Sequence, residues 1–103
     1  MYDVKNLAAL KTMDKAAETG MKSFWAFDKA AFTPGALDAK TKQLMALAVA
    51  LTTQCPYCIE LHTAEARKAG AGDADLAETA VVAAAMRAGA AITHATHMFR
   101  TGG

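Results

Sequence analysis

Apolar residues recur at helical spacing along almost the whole chain, in segments that glycine, proline and polar residues separate. The first segment follows Asp3, which can cap a helix, and Gly20 is its expected end. A second, shorter helix rich in aromatic residues is predicted over residues 23–32, before a Thr-Pro-Gly turn at 33–35. The pattern therefore predicts two helices and a turn in the first third of the chain.

The middle of the chain carries an apolar segment without a polar face. Asp38 or Thr41 can open a third helix that runs to about Thr53, and its stretch 44–51 is apolar on every side. Such a helix does not lie at a solvent-facing surface, so we expect it to be central, in the subunit core or between subunits. The stretch is far too short to span a bilayer.

Cys55-Pro56 restarts the chain after this helix. Proline is well tolerated at a first helical position, which favours a fourth helix over residues 56–69. Gly-Ala-Gly at 70–72 is its expected end.

The last third predicts a fifth helix and a final helical stretch. Asp73 or Asp75 can cap the fifth helix, which runs through Met86. Gly89 is expected to break it before the last stretch, and residues 101–103 are expected to fray.

The amino-acid composition, together with these predicted helices, indicates the fold class. Hydrophobic residues make up 53% of the chain, and alanine, which favours helix, supplies many of them, while valine and isoleucine are sparse. We predict a single compact all-α domain over residues 1–103, with five or six helices. So small a domain has too little interior to bury all of them, so homo-oligomerisation is expected.

Charge and cysteine usage restrict the class of function. The net charge is +1, with acidic and basic residues mixed along the chain, so neither nucleic acid nor a membrane is expected as a partner. The first twenty residues carry several charges and no apolar core of a signal peptide. A cytoplasmic protein is therefore expected, where a cysteine pair is more often catalytic or metal-binding than a structural disulfide.

The candidate site is Cys55-Pro56-Tyr57-Cys58 with His62. Two cysteines at this spacing can form a disulfide within one turn, and a helix N-terminus lowers the pKa of a thiol. Cys58 and His62 are i and i+4 on one helix face, so His62 can take the proton of Cys58. If Cys58 attacks a hydroperoxide and becomes a sulfenic acid, Cys55 is in place to condense with it.

Two alternative interpretations stay open, a zinc site and inert cysteines in the core. Zinc would need Cys55, Cys58, His62 and one of His94 or His97, although the spacing matches no familiar zinc finger. The last two histidines are expected instead to cap the final helix or line a subunit contact. A thioredoxin fold is set aside, because it requires a strand before the cysteines and no strand pattern precedes them. A c-type haem site is set aside, because it requires a histidine directly after the second cysteine and none stands there.

Three segments resemble one known family. They are LDAKTKQLMALAVA at 37–50, CPYCIELH at 55–62 and MRAGAAITH at 86–94, and they are similar to the AhpD-like branch of the carboxymuconolactone decarboxylase superfamily. The resemblance covers roughly residues 34–99. It implies an all-helical subunit that forms trimers or hexamers, and an antioxidant alkylhydroperoxidase activity. It also implies that Cys58 attacks the peroxide, Cys55 resolves and His62 accepts the proton.

One position departs from the proton relay that this resemblance implies. The relay includes a glutamate in the preceding helix, and that position is Gln43 here. An amide can orient His62 or a water molecule, but it cannot stabilise an imidazolium by charge. Weaker activation of Cys58 is expected, which makes disulfide exchange with a partner protein an alternative activity.

The remaining expectations concern substrates and reductants. Lactone decarboxylation, which names the superfamily, does not use a cysteine pair, so the pair argues against it here. A hydroperoxide substrate is expected, with a dithiol reductant such as a lipoyl group or a thioredoxin-like protein. No cofactor is implied.

Overall fold

The computed structural model describes residues 2–100, and the regular structure of that part is entirely helical. In chain order it consists of a 3₁₀ helix Val4–Ala9, α1 Leu10–Ala16, α2 Glu18–Phe32, α3 Ala39–Thr53, α4 Pro56–Lys68, α5 Asp73–Ala95 and a 3₁₀ helix Thr96–Phe99. The predicted all-α class with five main helices is confirmed. The predicted fraying of 101–103 concerns residues outside the described part, so it stays a prediction.

Helix α3 is central, as its apolar sequence predicts, and packs most extensively against α4 and α5. It begins at the predicted cap, where Asp38 Oδ1 accepts a hydrogen bond from the backbone N–H of Thr41 at 2.7 Å. Leu47 of α3 is buried in a small core with Ala66 and Ala71. The core therefore fixes α4, which carries the candidate site, against α3.

The end of α4 contributes to the same core. Gly70 has a φ of 99°, and its N–H donates to the carbonyl of Arg67 at 3.0 Å. The N–H of Ala71 donates to the carbonyl of Ala66 at 2.9 Å. These are the two hydrogen bonds of a Schellman motif, and the accompanying apolar contact lies between Ala66 and Ala71, which are both buried.

Two predicted breaks are wrong. Gly20 lies inside α2, and the chain changes direction at Ala17 (φ −129°, ψ 57°) instead. Gly89 lies inside α5, which continues to Ala95. A glycine inside a helix costs only about 1 kcal/mol relative to alanine, which the surrounding helix formers can offset.

The predicted cap position of α5 is wrong. The cap residue is Gly72, so neither Asp73 nor Asp75 is the N-cap, but Asp75 Oδ2 accepts a hydrogen bond from the Gly72 N–H at 2.9 Å. Asp75 thus stabilises the helix from inside its first turn.

The single chain has an extended shape. Its radius of gyration is 17.6 Å, against about 13 Å for a compact domain of this length. Within residues 2–100, no large side chain is fully buried. Large apolar side chains on α5 are strongly exposed, and they include Val81, Val82, Met86 and Ile92.

The exposed apolar surface raises a second interpretation of α5. Residues 73–99 are long and apolar enough to cross a membrane by length and composition, and little of this segment is buried. Both a membrane span and a helix that packs against another copy of the chain have these two properties.

Candidate active site

The two cysteines lie where α3 ends and α4 begins. Gln54 adopts a left-handed conformation (φ 56°, ψ 50°) and turns the chain out of α3. Cys55 is the N-cap of α4, with Pro56 at its first position, and its Sγ accepts a hydrogen bond from the Cys58 N–H at 3.3 Å. The two residues form a disulfide, with Cα atoms 5.3 Å apart. In the reduced form, the N-terminus of α4 would stabilise a thiolate here.

His62 follows Cys58 by one turn of α4 and is half-buried. Its Nδ1 lies 2.7 Å from Oε1 of Gln43, because α3 packs against α4. An amide oxygen can only accept a hydrogen bond, so Nδ1 carries the hydrogen and Nε2 keeps a free lone pair. Gln43 therefore selects the tautomer in which Nε2 can act as a base.

Phe32 is a site residue that the sequence analysis missed. It is the last residue of α2, and its ring stacks on the imidazole of His62 with centroids 5.0 Å apart and planes 18° apart. The only sequence signal was the concentration of aromatic residues over 23–32. Nothing in that pattern indicates which aromatic ring reaches α4.

The N-terminal segment also contacts α4 beside the cysteines, which the sequence did not indicate. The Tyr2 ring packs edge-on against Tyr57, with centroids 4.7 Å apart, and Asn6 Nδ2 donates to the Tyr57 hydroxyl at 3.0 Å. The Tyr2 hydroxyl donates to the carboxylate of Glu60, which raises the pKa of Tyr2 to about 12. Tyr57 is therefore a packing aromatic, and Glu60 is engaged away from His62.

Comparison with known proteins identifies the family of this chain. Residues 18–101 match the model of the carboxymuconolactone decarboxylase family, which is most of the chain. The chain belongs to this family. The resemblance seen in the sequence is thereby confirmed.

Relatives and solved structures support the same family. "Uncharacterized protein 4 in cox locus" of Paracoccus denitrificans is 50% identical over 91 residues, covering 88% of this chain and 82% of its own. An apo structure of a carboxymuconolactone decarboxylase family protein from Legionella pneumophila matches with a TM-score of 0.76 and 37% identity, over 81% of this chain and 75% of that one.

A biological role has been suggested for a third similar protein. It is a carboxymuconolactone decarboxylase family protein from Thermotoga maritima, for which an involvement in antioxidative response has been suggested. The TM-score is 0.61 at 29% identity, over 82% of this chain and 97% of that one.

In this carboxymuconolactone decarboxylase family chain, the four predicted site residues fall on two packed helices. Cys55 is the N-cap of α4, Cys58 and His62 lie in its first two turns, and Gln43 contacts His62 from α3. Glu65, the other nearby carboxylate of α4, pairs with Lys68 at 3.3 Å.

The two further histidines of the alternative zinc set lie on elements other than α4. His94 and His97 lie at the exposed end of α5 and in the following 3₁₀ helix, with ring centroids 5.8 Å apart. Across residues 2–100 of this disulfide form, no three His, Cys, Asp or Glu side chains are placed to hold a metal ion.

Proposed function

We propose that this carboxymuconolactone decarboxylase family protein is an alkylhydroperoxidase-like thiol peroxidase that reduces small hydroperoxides. One observation carries the proposal: His62, with Nδ1 bound to Gln43, follows the Cys55–Cys58 disulfide on the same helix. That arrangement supplies a redox pair together with a base whose Nε2 is free to accept a proton.

The proposed cycle begins with the reduced pair. Cys58 gives its proton to His62, and the thiolate attacks the terminal oxygen of the hydroperoxide. The O–O bond breaks, Cys58 becomes a sulfenic acid, and the alkoxide takes the proton from His62 and leaves as an alcohol. The thiol of Cys55 then attacks the sulfenic sulfur, which releases water and forms the disulfide.

Reduction of the disulfide completes the proposed cycle. A dithiol donor, such as a lipoyl group or a thioredoxin-like protein, attacks the disulfide and becomes oxidised to its own disulfide. The donor's two hydrogens end on Cys55 and Cys58, so the thiols are restored.

A protein disulfide reductase with weak peroxidase activity is the second candidate. It is favoured by the neutral amide of Gln43, which orients His62 without stabilising the imidazolium by charge. Disulfide exchange depends less on such a relay, because its leaving group is a thiolate rather than an alkoxide.

We further propose that the protein works as a cytoplasmic homo-oligomer, a trimer or hexamer. The exposed apolar face of α5 supports this assembly. Arg87 lies within α5, and its guanidinium donates to the carbonyl of Thr52 on α3. A charged side chain is costly in a bilayer, so the charge of Arg87 favours an environment of protein rather than lipid around α5.

The test is peroxide consumption by reduced variants in the presence of a dithiol. Cys58→Ser is expected to abolish consumption. Cys55→Ser, assayed without the dithiol, is expected to react once and stop as a sulfenic acid, because no second thiol is present to condense with it. His62→Gln is expected to slow the first step about a hundredfold, and His94→Gln, which removes an imidazole far along α5, is the matched control. Undiminished consumption by Cys58→Ser would overturn the proposal.

A further inference from the structure

The imidazole of His62 is held from two directions by residues of two other helices. Gln43 of α3 binds Nδ1 in the plane of the ring, at 2.7 Å. Phe32 of α2 covers one face of the ring, nearly parallel to it. A hydrogen bond in the plane and a stacked ring on the face together restrict both the tilt and the rotation of the imidazole.

Phe32 is itself fixed by the residue next to Gln43. The ammonium group of Lys42 donates to the carbonyl of Ala31 at 2.9 Å and to that of Thr33 at 2.6 Å, on either side of Phe32. These carbonyls lie at the C-terminal end of α2, where a positive charge also interacts favourably with the helix dipole. Contact between α2 and α3 is otherwise slight, so Lys42 is the main polar attachment of this end.

We propose that Phe32, held by Lys42, is a positioning residue for His62. Adjacent residues of α3 thereby act on one imidazole: Gln43 directly, and Lys42 through the end of α2. The stacked ring keeps Nδ1 on Gln43 and leaves Nε2 as the basic nitrogen. Without Phe32 the ring can turn, and both tautomers become populated. The kinetic consequence rests on the proposed peroxidase function, whereas the effect on the tautomer does not.

The test combines a spectroscopic and a kinetic measurement. ¹⁵N chemical shifts of histidine-labelled protein are expected to show a single Nδ1–H tautomer for His62. Phe32→Leu and Lys42→Met are expected to give a mixture of tautomers, and to slow oxidation of the reduced pair by cumene hydroperoxide about tenfold. Phe32→Tyr keeps a ring at the same place, so it is expected to retain both properties.

Phe27→Leu is the matched control, because it makes the same change on α2 at a ring that is 71% exposed. It is expected to leave the tautomer and the rate as in the wild type. If Phe32→Leu does not fold by circular dichroism, Lys42→Met and Phe32→Tyr decide the question, since both leave the apolar packing of α3 and α4 in place.

The inference and the proposed function fail in different ways. A single Nδ1–H tautomer together with an unchanged rate in Phe32→Leu or Lys42→Met would overturn the positioning role. A wild-type protein that does not consume hydroperoxide would overturn the proposed function, and a tautomer change in Phe32→Leu would then still support the positioning role.

Discussion

The residue that most limits the proposed chemistry is Gln43. Its amide oxygen accepts the Nδ1 hydrogen of His62 and so selects a tautomer. It carries no charge, however, and therefore adds little to the stability of the imidazolium that forms when His62 takes a proton. A carboxylate at the same place would supply both effects, and the relay that the sequence resemblance implies has a glutamate there.

Gln43→Glu is accordingly expected to accelerate hydroperoxide reduction about tenfold, which corresponds to about 1.4 kcal/mol of barrier. Gln43→Leu is expected to slow it, because Nδ1 loses its partner. Stopped-flow oxidation of the reduced protein measures both. Gln54→Glu adds the same charge beside Cys55 without reaching His62 and controls for a general charge effect. Equal rates in Gln43→Glu and the wild type would contradict this role.

Local spacing explains which site residues the sequence could indicate. Cys55, Cys58 and His62 lie within eight positions of one helix, so their grouping follows from helical geometry alone. Gln43 came from the family resemblance rather than from spacing. Phe32 and Tyr2 reach α4 only through the way in which separate helices pack, which no local pattern encodes.

The C-terminal end of α4 requires a backbone conformation that favours glycine. Gly70 has a φ of 99°, which side chains with a Cβ rarely adopt. Gly70→Ala is therefore expected to lower the free energy of unfolding by about 1–2 kcal/mol, measured by urea denaturation.

Gly20→Ala is the matched control for this substitution. Gly20 lies inside α2, and an added Cβ would meet no atom within 4 Å. Alanine there is expected to raise the free energy of unfolding by about 0.5–1 kcal/mol. Changes of the same sign in the two variants would contradict the assigned ends of these helices.

Two helix caps predict how stability depends on pH. Hydrogen bonds from backbone N–H groups lower the pKa of Asp38 and of Asp75 below the ordinary 3.8. Because each pKa is lower in the folded state, the stabilisation is present above about pH 4. It is lost as the pH falls through the folded values.

Asp38→Asn and Asp75→Asn are therefore expected to flatten the fall in stability below about pH 4. Urea denaturation followed by circular dichroism at a series of pH values measures this slope. Asp28→Asn, in the middle of α2, removes a carboxylate that caps no helix and serves as the control. An unchanged slope in both cap variants would show that these caps do not cause the acid sensitivity.

At the level of elements, the sequence predicted the capping residues of helices more accurately than the glycines at which helices end. Asp38 and the glycine after α4 act through bonds within a few residues, so their signals are local. No local hydrogen bond requires a helix to end at Gly20 or Gly89. The helix-favouring residues around them let α2 and α5 continue past these positions.

For the whole molecule, the extended shape and the exposed apolar side chains are both expected if the proposed assembly buries them against other copies. Sedimentation equilibrium is expected to give the mass of three or six chains. Met86→Glu introduces a charge on α5 at a side chain that is 69% exposed, and it is expected to dissociate the assembly. Thr19→Glu, in the polar first turn of α2, is the control.

A single-chain mass at all concentrations would contradict the proposed assembly, as would recovery of the protein with the membrane fraction. The sequence predicted the surplus of apolar surface from chain length and composition. It did not indicate the extended shape of the single chain, because composition does not reveal how α1 and α2 pack relative to the core of α3, α4 and α5.

The most direct test of the central claim counts thiols and bound metal in the purified, reduced protein before and after one equivalent of hydroperoxide. The account predicts that both thiols are lost together, that the product is an intramolecular Cys55–Cys58 disulfide, and that no stoichiometric metal is present. Thiols that persist, with zinc bound near one per chain, would contradict it and make Cys55, Cys58 and His62 metal ligands.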